Sequence, residues 1–355
     1  MTYLSPVTGA DCWTDEEPLE CVSVVPEAPG VTSFTFRAPS GRMFDFRAGQ
    51  FLTLEIPVPP ETVHRTYTIS SSPTRPNLIS ITAKAQTDSF GTRWMMHNLT
   101  PGMRIKAMGP SGQFTMADSR AEKFLLISAG VGVTPMMSMT MDLWDSGRTL
   151  DVVFINCARR PSELIFRQRL EEMASRAPGL DLKFVVSGPD PFSPWTGYQG
   201  RFNQLMLGLM APDFLERQVY CCGPEPFMQS VREALAGFGF DMQGYHQESF
   251  VAPQQQAPVD LLADADQGED PAIHFACSDR HYDCAPDETV LLAARAAGVT
   301  IPSGCTFGVC GSCKVRKLSG EVHMVHNGGI LAEDIEAGYI LACCSHPRGK
   351  ISLDL

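Results

Sequence analysis

Basic charge is in short supply in this 355-residue chain: 28 lysines and arginines stand against 40 acidic residues, a net charge of −12 at neutral pH. A surface of that sign offers little to hold nucleic acid or an anionic bilayer, so neither is an expected partner. No leader is expected either. Met1 to Glu20 has no basic start followed by an apolar run, and the chain is expected in the cytoplasm. Long apolar runs are few. One stretch of 18 residues without a charge, Phe124 to Met141, contains Gly130, Gly132 and Pro135. It reads as a buried strand, a tight turn and a helix start rather than a membrane span. The remaining composition, 44% hydrophobic and 19% charged, is that of a folded chain long enough for two or three domains.

Cysteine, by contrast, is plentiful at 12 residues. In a reducing compartment such thiols point to metal or redox chemistry rather than disulfides. Four of them have ligand spacing. Cys305, Cys310 and Cys313 form C-x4-C-x2-C, and Cys343 follows after 29 further residues, the plant-type pattern for a 2Fe–2S cluster. Gly308, Gly311 and Ser312 between the ligands let the backbone curl close and aim its N–H groups at sulfur. A zinc site from Cys310, Cys313, Cys343 and Cys344 is the rival, but it leaves Cys305 without a role. Unliganded buried thiols are the plainest alternative. From Asp264 onward thirteen acidic residues face seven basic ones, which is either a negative docking face for a protein or an ordinary solvated surface.

Taken in order, residues 1–118 read as all-β. Val31 to Arg37, Phe51 to Ile56 and Leu78 to Lys84 alternate with period two between Gly and Pro turns, the pattern of a small antiparallel barrel. Between them, a strand through His64 to Pro73 is expected to put Arg65, Tyr67 and Ser70 on one face, with Thr68 beside them. Arginine can hold phosphate, an aromatic ring can stack on a flat heterocycle, and hydroxyls can bond its edge. An ordinary polar strand edge explains the same residues. Gly91 and Thr92 are expected to turn the chain into a short helix whose start could form a phosphate nest.

Residues 119–250 change to alternating strands and helices. Strands are expected at Lys123 to Ser128, Asp151 to Asn156, Leu182 to Ser187 and Gln218 to Cys222, with helices at 134–146, 164–176 and 225–237. That is a parallel sheet of the dinucleotide-binding kind, with ligands at the strands' carboxyl ends. Gly130, Gly132, Thr134 and Pro135 follow its first strand, where paired glycines admit phosphate and proline suits the first helical turn. Cys222, Gly223 and Pro224 follow the fourth strand; a thiol there could sit beside a nicotinamide, or be a small core residue before a turn. Residues 251–270, rich in Pro and Gln and then acid, read as a linker. Residues 271–355 hold a hairpin, a helix ending at Gly298, the cysteine loop and a strand from Lys314 to Met324.

Together these pieces resemble ferredoxin–NADP+ reductase-like flavoproteins with a C-terminal plant-type ferredoxin domain, from about Leu19 to Leu355. The resemblance implies an antiparallel β-barrel flavin domain, an α/β nucleotide domain and a β-grasp ferredoxin domain. It rests on R-x-Y-[ST]-x-S at Arg65, Tyr67, Thr68 and Ser70, on G-x-G-x-x-P at Gly130, Gly132 and Pro135, and on C-G-P at Cys222 to Pro224. Thr92 ahead of Trp94 stands where relatives carry serine. FAD is implied over FMN, with Lys84, Gly91, Thr92 and Phe250 counted among the cofactor-binding residues. Ser70 is expected to support the flavin, and Thr134 and Cys222 to position the nicotinamide. Arg159 and Arg160, after the second strand of the nucleotide domain, could meet a 2′-phosphate; NADH is nonetheless expected, with NADPH the alternative. Glu336 to Pro347 looks like the reductase components of two-component Rieske oxygenases, glycine betaine demethylases among them, so the expected partner is a Rieske-type oxygenase. The oxygenase's own ligands are missing here, because Cys344-Ser-His346 has no C-x-x-H companion. A reductase for hybrid-cluster protein and an iron–sulfur redox sensor are the alternatives.

Overall fold

A computed structural model describes residues 12–86, 89–147, 151–191, 193–250, 271–285, 287–303, 308, 311, 313–326, 329–330 and 332–355. The expected linker, residues 251–270, and two of the expected ligands, Cys305 and Cys310, lie outside them. The described chain forms three sheets, and it divides into two compact units: one holds almost all of the first two sheets, the other the third.

The first sheet contains β1 (Leu19–Ala28), β2 (Val31–Arg37), β3 (Phe51–Val58), β4 (Glu61–Thr68), β5 (Ile79–Lys84) and, after helix α1 (Phe90–Asn98), β6 (Arg104–Ser111). Its order is β4-β3-β6-β1-β2-β5. An antiparallel bridge between Ile69 and Ile81 then joins the run beyond β4 to β5, so the two outermost strands meet and the sheet closes as a barrel. Alternation fills its interior with Phe34, Phe36, Leu52, Leu54, Ile56, Ile79 and Ile81, all fully buried.

The second sheet is parallel. It comprises β7 (Phe124–Ala129), β8 (Val152–Ala158), β9 (Leu180–Val186), β10 (Tyr198–Gln199), β11 (Gln218–Cys222) and β12 (Tyr245–Glu248), in the order β10-β9-β8-β7-β11-β12. Helices α2 (Val133–Asp145), α3 (Arg167–Arg176), α4 (Gln204–Met210) and α5 (Glu225–Gly237) cover its faces. The uncharged stretch Phe124 to Met141 is therefore strand, 3-10 turn and buried helix, and no helix among the described residues is long and apolar enough to cross a membrane. Helix α3 begins at Arg167, not at Leu164. Phe166 is left-handed (φ 59°), and that twist lets Leu164, Ile165 and Phe166 all bury at 4%, 2% and 3% exposure.

The third sheet takes β13 (Ala272–Phe275), β14 (Arg280–Asp283), then after α6 (Val290–Ala296) β15 (Lys314–Met324), and after α7 (Ala332–Glu336) β16 (Tyr339–Leu341) and β17 (Ser345–Leu353). Its order, β14-β13-β17-β15-β16 with β13 parallel to β17, wraps a core shared with α6, in which Val290, Ala293 and Ala294 are buried. Thr289 caps α6, its hydroxyl accepting from Leu292 N at 3.3 Å.

Candidate functional site

Strand β4 presents Arg65 exposed and Tyr67 half-buried. Ser70 does not join them, because three positions beyond Tyr67 it has the opposite parity in an extended chain. The strand ends at Thr68, and Ser70 is 4% exposed, its hydroxyl 2.9 Å from Thr82 Oγ1 and 3.3 Å from Ser80 O, on the barrel face opposite to Ile79 and Ile81. The Tyr67 hydroxyl reaches Thr92 Oγ1 at 2.9 Å and so ties β4 to the first turn of α1. Gly91 is no turn residue either: α1 already starts at Phe90, and Gly91 and Thr92 lie buried in its first turn. Ser89, at the cap position, bonds Gln86 instead (2.7 and 2.8 Å) and leaves the helix start without a side-chain cap. Uncapped N–H groups with no acid in that turn are what a phosphate needs.

At the carboxyl ends of the parallel strands the register aligns Ser128 of β7, Cys222 of β11 and Glu248 of β12. Burial, helped by the neighbouring Glu248 carboxylate and Cys221, pushes the Cys222 thiol well above its ordinary range. It is a neutral, inert side chain rather than a thiolate. Burial likewise pushes the Glu248 carboxyl up to about 8, although the Thr68 hydroxyl, donating at 3.4 Å, pulls the other way. Thr68, Cys222 and Glu248 thus gather where barrel and parallel sheet meet. Glu248 was not singled out from the sequence, because a carboxylate ending a short polar strand gains meaning only from the residue beside it in the sheet.

Gly130 (φ 57°) and Gly132 form a 3-10 turn ahead of α2, again without a side-chain cap or an acid in the first turn. Gly132 is required for a reason additional to phosphate: a Cβ there would lie 2.1 Å from Cys222 O and 2.8 Å from Gly223 N. Thr134 is buried and donates to Val131 O at 2.9 Å, and Pro135 is buried behind it. The loop beyond β4 is clamped to α2. Arg75 makes two 2.8 Å bonds to Asp145, Thr74 adds one at 2.9 Å, and Ser138 donates to Ser71 O at 2.6 Å. After β8, Arg159 is exposed and pairs with Glu163 at 3.2 Å, and Glu163 also lies 4.0 Å from Lys84 Nζ. Arg160 is exposed.

In the other unit, the described half of the ligand set fits a cluster. Cys313 and Cys343 are 1% and 7% exposed, and Cys343 N donates to Cys313 Sγ at 3.4 Å. A buried sulfur met by a backbone N–H is the setting a metal-bound thiolate needs. Gly308 (φ 76°) admits no side chain, since a Cβ would sit 2.8 Å from Cys344 Sγ and 2.9 Å from His326 Cα. His346 lies in β17 opposite His323, an ordinary ladder position.

Three family models match: an oxidoreductase FAD-binding domain over residues 22–116, an oxidoreductase NAD-binding domain over 126–233 and a 2Fe-2S iron-sulfur cluster binding domain over 260–348. The stachydrine N-demethylase reductase subunit of Rhizobium meliloti is 59% identical, with 96% of this chain and 97% of that one aligned. The glycine betaine monooxygenase reductase subunit of Chromohalobacter salexigens is 42% identical over 100% and 99%. Among solved structures, phthalate dioxygenase reductase, described as a modular structure for electron transfer from pyridine nucleotides to [2Fe-2S], matches with a TM-score of 0.60 and 25% identity over 97% and 100%. With an FAD site on the barrel, a nucleotide site on the parallel sheet and a cluster loop in the third, this chain belongs to the family of oxidoreductases that serve as reductase components of monooxygenase systems.

Proposed function

We propose that the protein takes electrons from NADH in the cytoplasm and delivers them singly, through FAD and the 2Fe–2S cluster, to a Rieske-type oxygenase that N-demethylates a small quaternary ammonium betaine. The observation that carries this reading is the likeness, along nearly the full length of both chains, to reductase subunits named for stachydrine and for glycine betaine. Bound FAD supplies the conversion between a hydride donor and one-electron carriers.

The chain's own residues bind and orient. Arg65 and the uncapped start of α1, with Gly91 and Thr92, hold the flavin phosphates; Tyr67 and Phe250 flank its ring. Thr68 and Glu248, rather than Ser70, hydrogen-bond at the reacting edge. The Gly130–Gly132 turn and the start of α2 take the dinucleotide, with Thr134, Pro135, Cys222, Gly223 and Pro224 shaping the nicotinamide end. Arg159, already paired with Glu163, is a poor holder of a 2′-phosphate, which favours NADH over NADPH. Cys305, Cys310, Cys313 and Cys343 ligate the cluster. The working division is a barrel domain over 1–118, a nucleotide domain over 119–250, a linker over 251–270 and a ferredoxin domain over 271–355.

The test is formaldehyde release from glycine betaine and from stachydrine, in parallel, with this protein, NADH and a candidate Rieske oxygenase, omitting each component in turn. Product only from the complete mixture is the expected result. NADH oxidation with dyes but no turnover of either betaine by any candidate oxygenase would remove the substrate assignment.

A further inference from the structure

The hairpin β13–β14, at the edge of the third sheet, carries a group of side chains that the electron-transfer chemistry does not use. His274 and His281 are directly opposite one another in the ladder. Their rings stack with centroids 4.2 Å apart and planes 15° from parallel. Asp279, in the connecting turn, adopts a left-handed backbone (φ 50°) that non-glycine residues seldom take. That conformation brings its Oδ1 to 3.2 Å from His274 Nε2. One donor atom from each of the three residues lies within 4.8 Å of the other two.

We propose that His274, Asp279 and His281 form a second metal site, separate from the cluster cysteines, that takes a divalent transition ion such as Zn2+. Two imidazoles and a carboxylate are the ligand types that zinc prefers when three protein ligands leave the fourth position to water. A tetrahedral ion about 2.0–2.2 Å from each donor holds donors roughly 3.4 Å apart, so the two stacked rings must turn out of parallel to aim one nitrogen each at the ion. The backbone is already in place. The ladder fixes the two histidines across from each other, and the left-handed turn fixes the acid, so little ordering is left for binding to do. The two histidines come from two strands and the acid from the turn between them, and an ion here therefore staples the edge hairpin. His274 is half-buried while Asp279 and His281 are exposed, which leaves the ion an open approach.

Isothermal titration of the full-length holoprotein with ZnCl2 tests the site, with the visible absorbance of flavin and cluster followed in the same samples. The expected result is one saturable site of micromolar affinity, an unchanged visible spectrum, and a melting temperature raised by Zn2+. His281→Ala and Asp279→Asn should each weaken binding by at least about tenfold. Cys277→Ser, which removes the exposed thiol of the same turn, should leave it unaltered. No saturable binding, binding indifferent to both ligand variants, or binding lost in Cys277→Ser would each overturn the proposal.

Discussion

Glu248 shows how one carboxyl group can report on its site. Burial pushes it up to about 8 in the folded protein, from an ordinary value of 4.5. Between those two pH values the folded state keeps a proton that the unfolded chain has lost, so stability contributed here is fully present in acid and falls as pH rises toward 8. Glu248→Gln removes the titration. Its melting temperature should gain on the parent between pH 5 and pH 9, and parallel pH profiles for the two proteins would show that the carboxyl is not desolvated. Cys222 and Thr134 were singled out in the sequence because each adjoins a glycine motif, Cys222 at the end of β11 and Thr134 at the start of α2. Glu248 and Glu163 were not. Each acquires its partner only when separate strands or turns are laid side by side, and neither periodicity nor a motif marks that event. Ser70 was misplaced for a plainer reason: three positions beyond Tyr67 it has the opposite strand parity, and its hydroxyl is taken up by Thr82.

Among the elements, the strands at Val31–Arg37, Gln218–Cys222 and Lys314–Met324 and the helix at Glu225–Gly237 stand where their patterns placed them. Each has clear punctuation; the helix buries one face, whereas Gln218–Cys222 is a short apolar run buried on both. β1 was harder to read, because Pro26 interrupts its alternation and the ladder with β2 shifts register there. α4 escaped notice because its apolar residues are not confined to one face; Leu205 and Leu209 remain 71% and 61% exposed. The turn between β7 and α2 makes a sharper claim. Since a Cβ on Gly132 would overlap the backbone of Cys222, Gly132→Ala must push β7 and β11 apart or bend the turn. A loss of about 1–3 kcal/mol is expected, read in chemical denaturation, together with weaker nucleotide binding. A variant as stable as the parent would show that the turn is not so tightly held.

For the whole molecule, the switch from period two to alternating strands and helices, and then the Pro- and Gln-rich stretch, announced three sheets in the right order. Nothing in those patterns showed that the first two share one compact unit, because the clamp of Arg75 and Thr74 on Asp145 joins residues some seventy positions apart. A single chain holding nucleotide, flavin and cluster sites has one defining property: electrons entering at the first must reach the last. Anaerobic titration of the purified full-length protein with NADH, followed by visible absorbance and low-temperature EPR, measures this directly. The expected result is loss of flavin absorbance accompanied by the signal of a reduced 2Fe–2S cluster. A flavin that bleaches while the cluster stays oxidised and EPR-silent would contradict it.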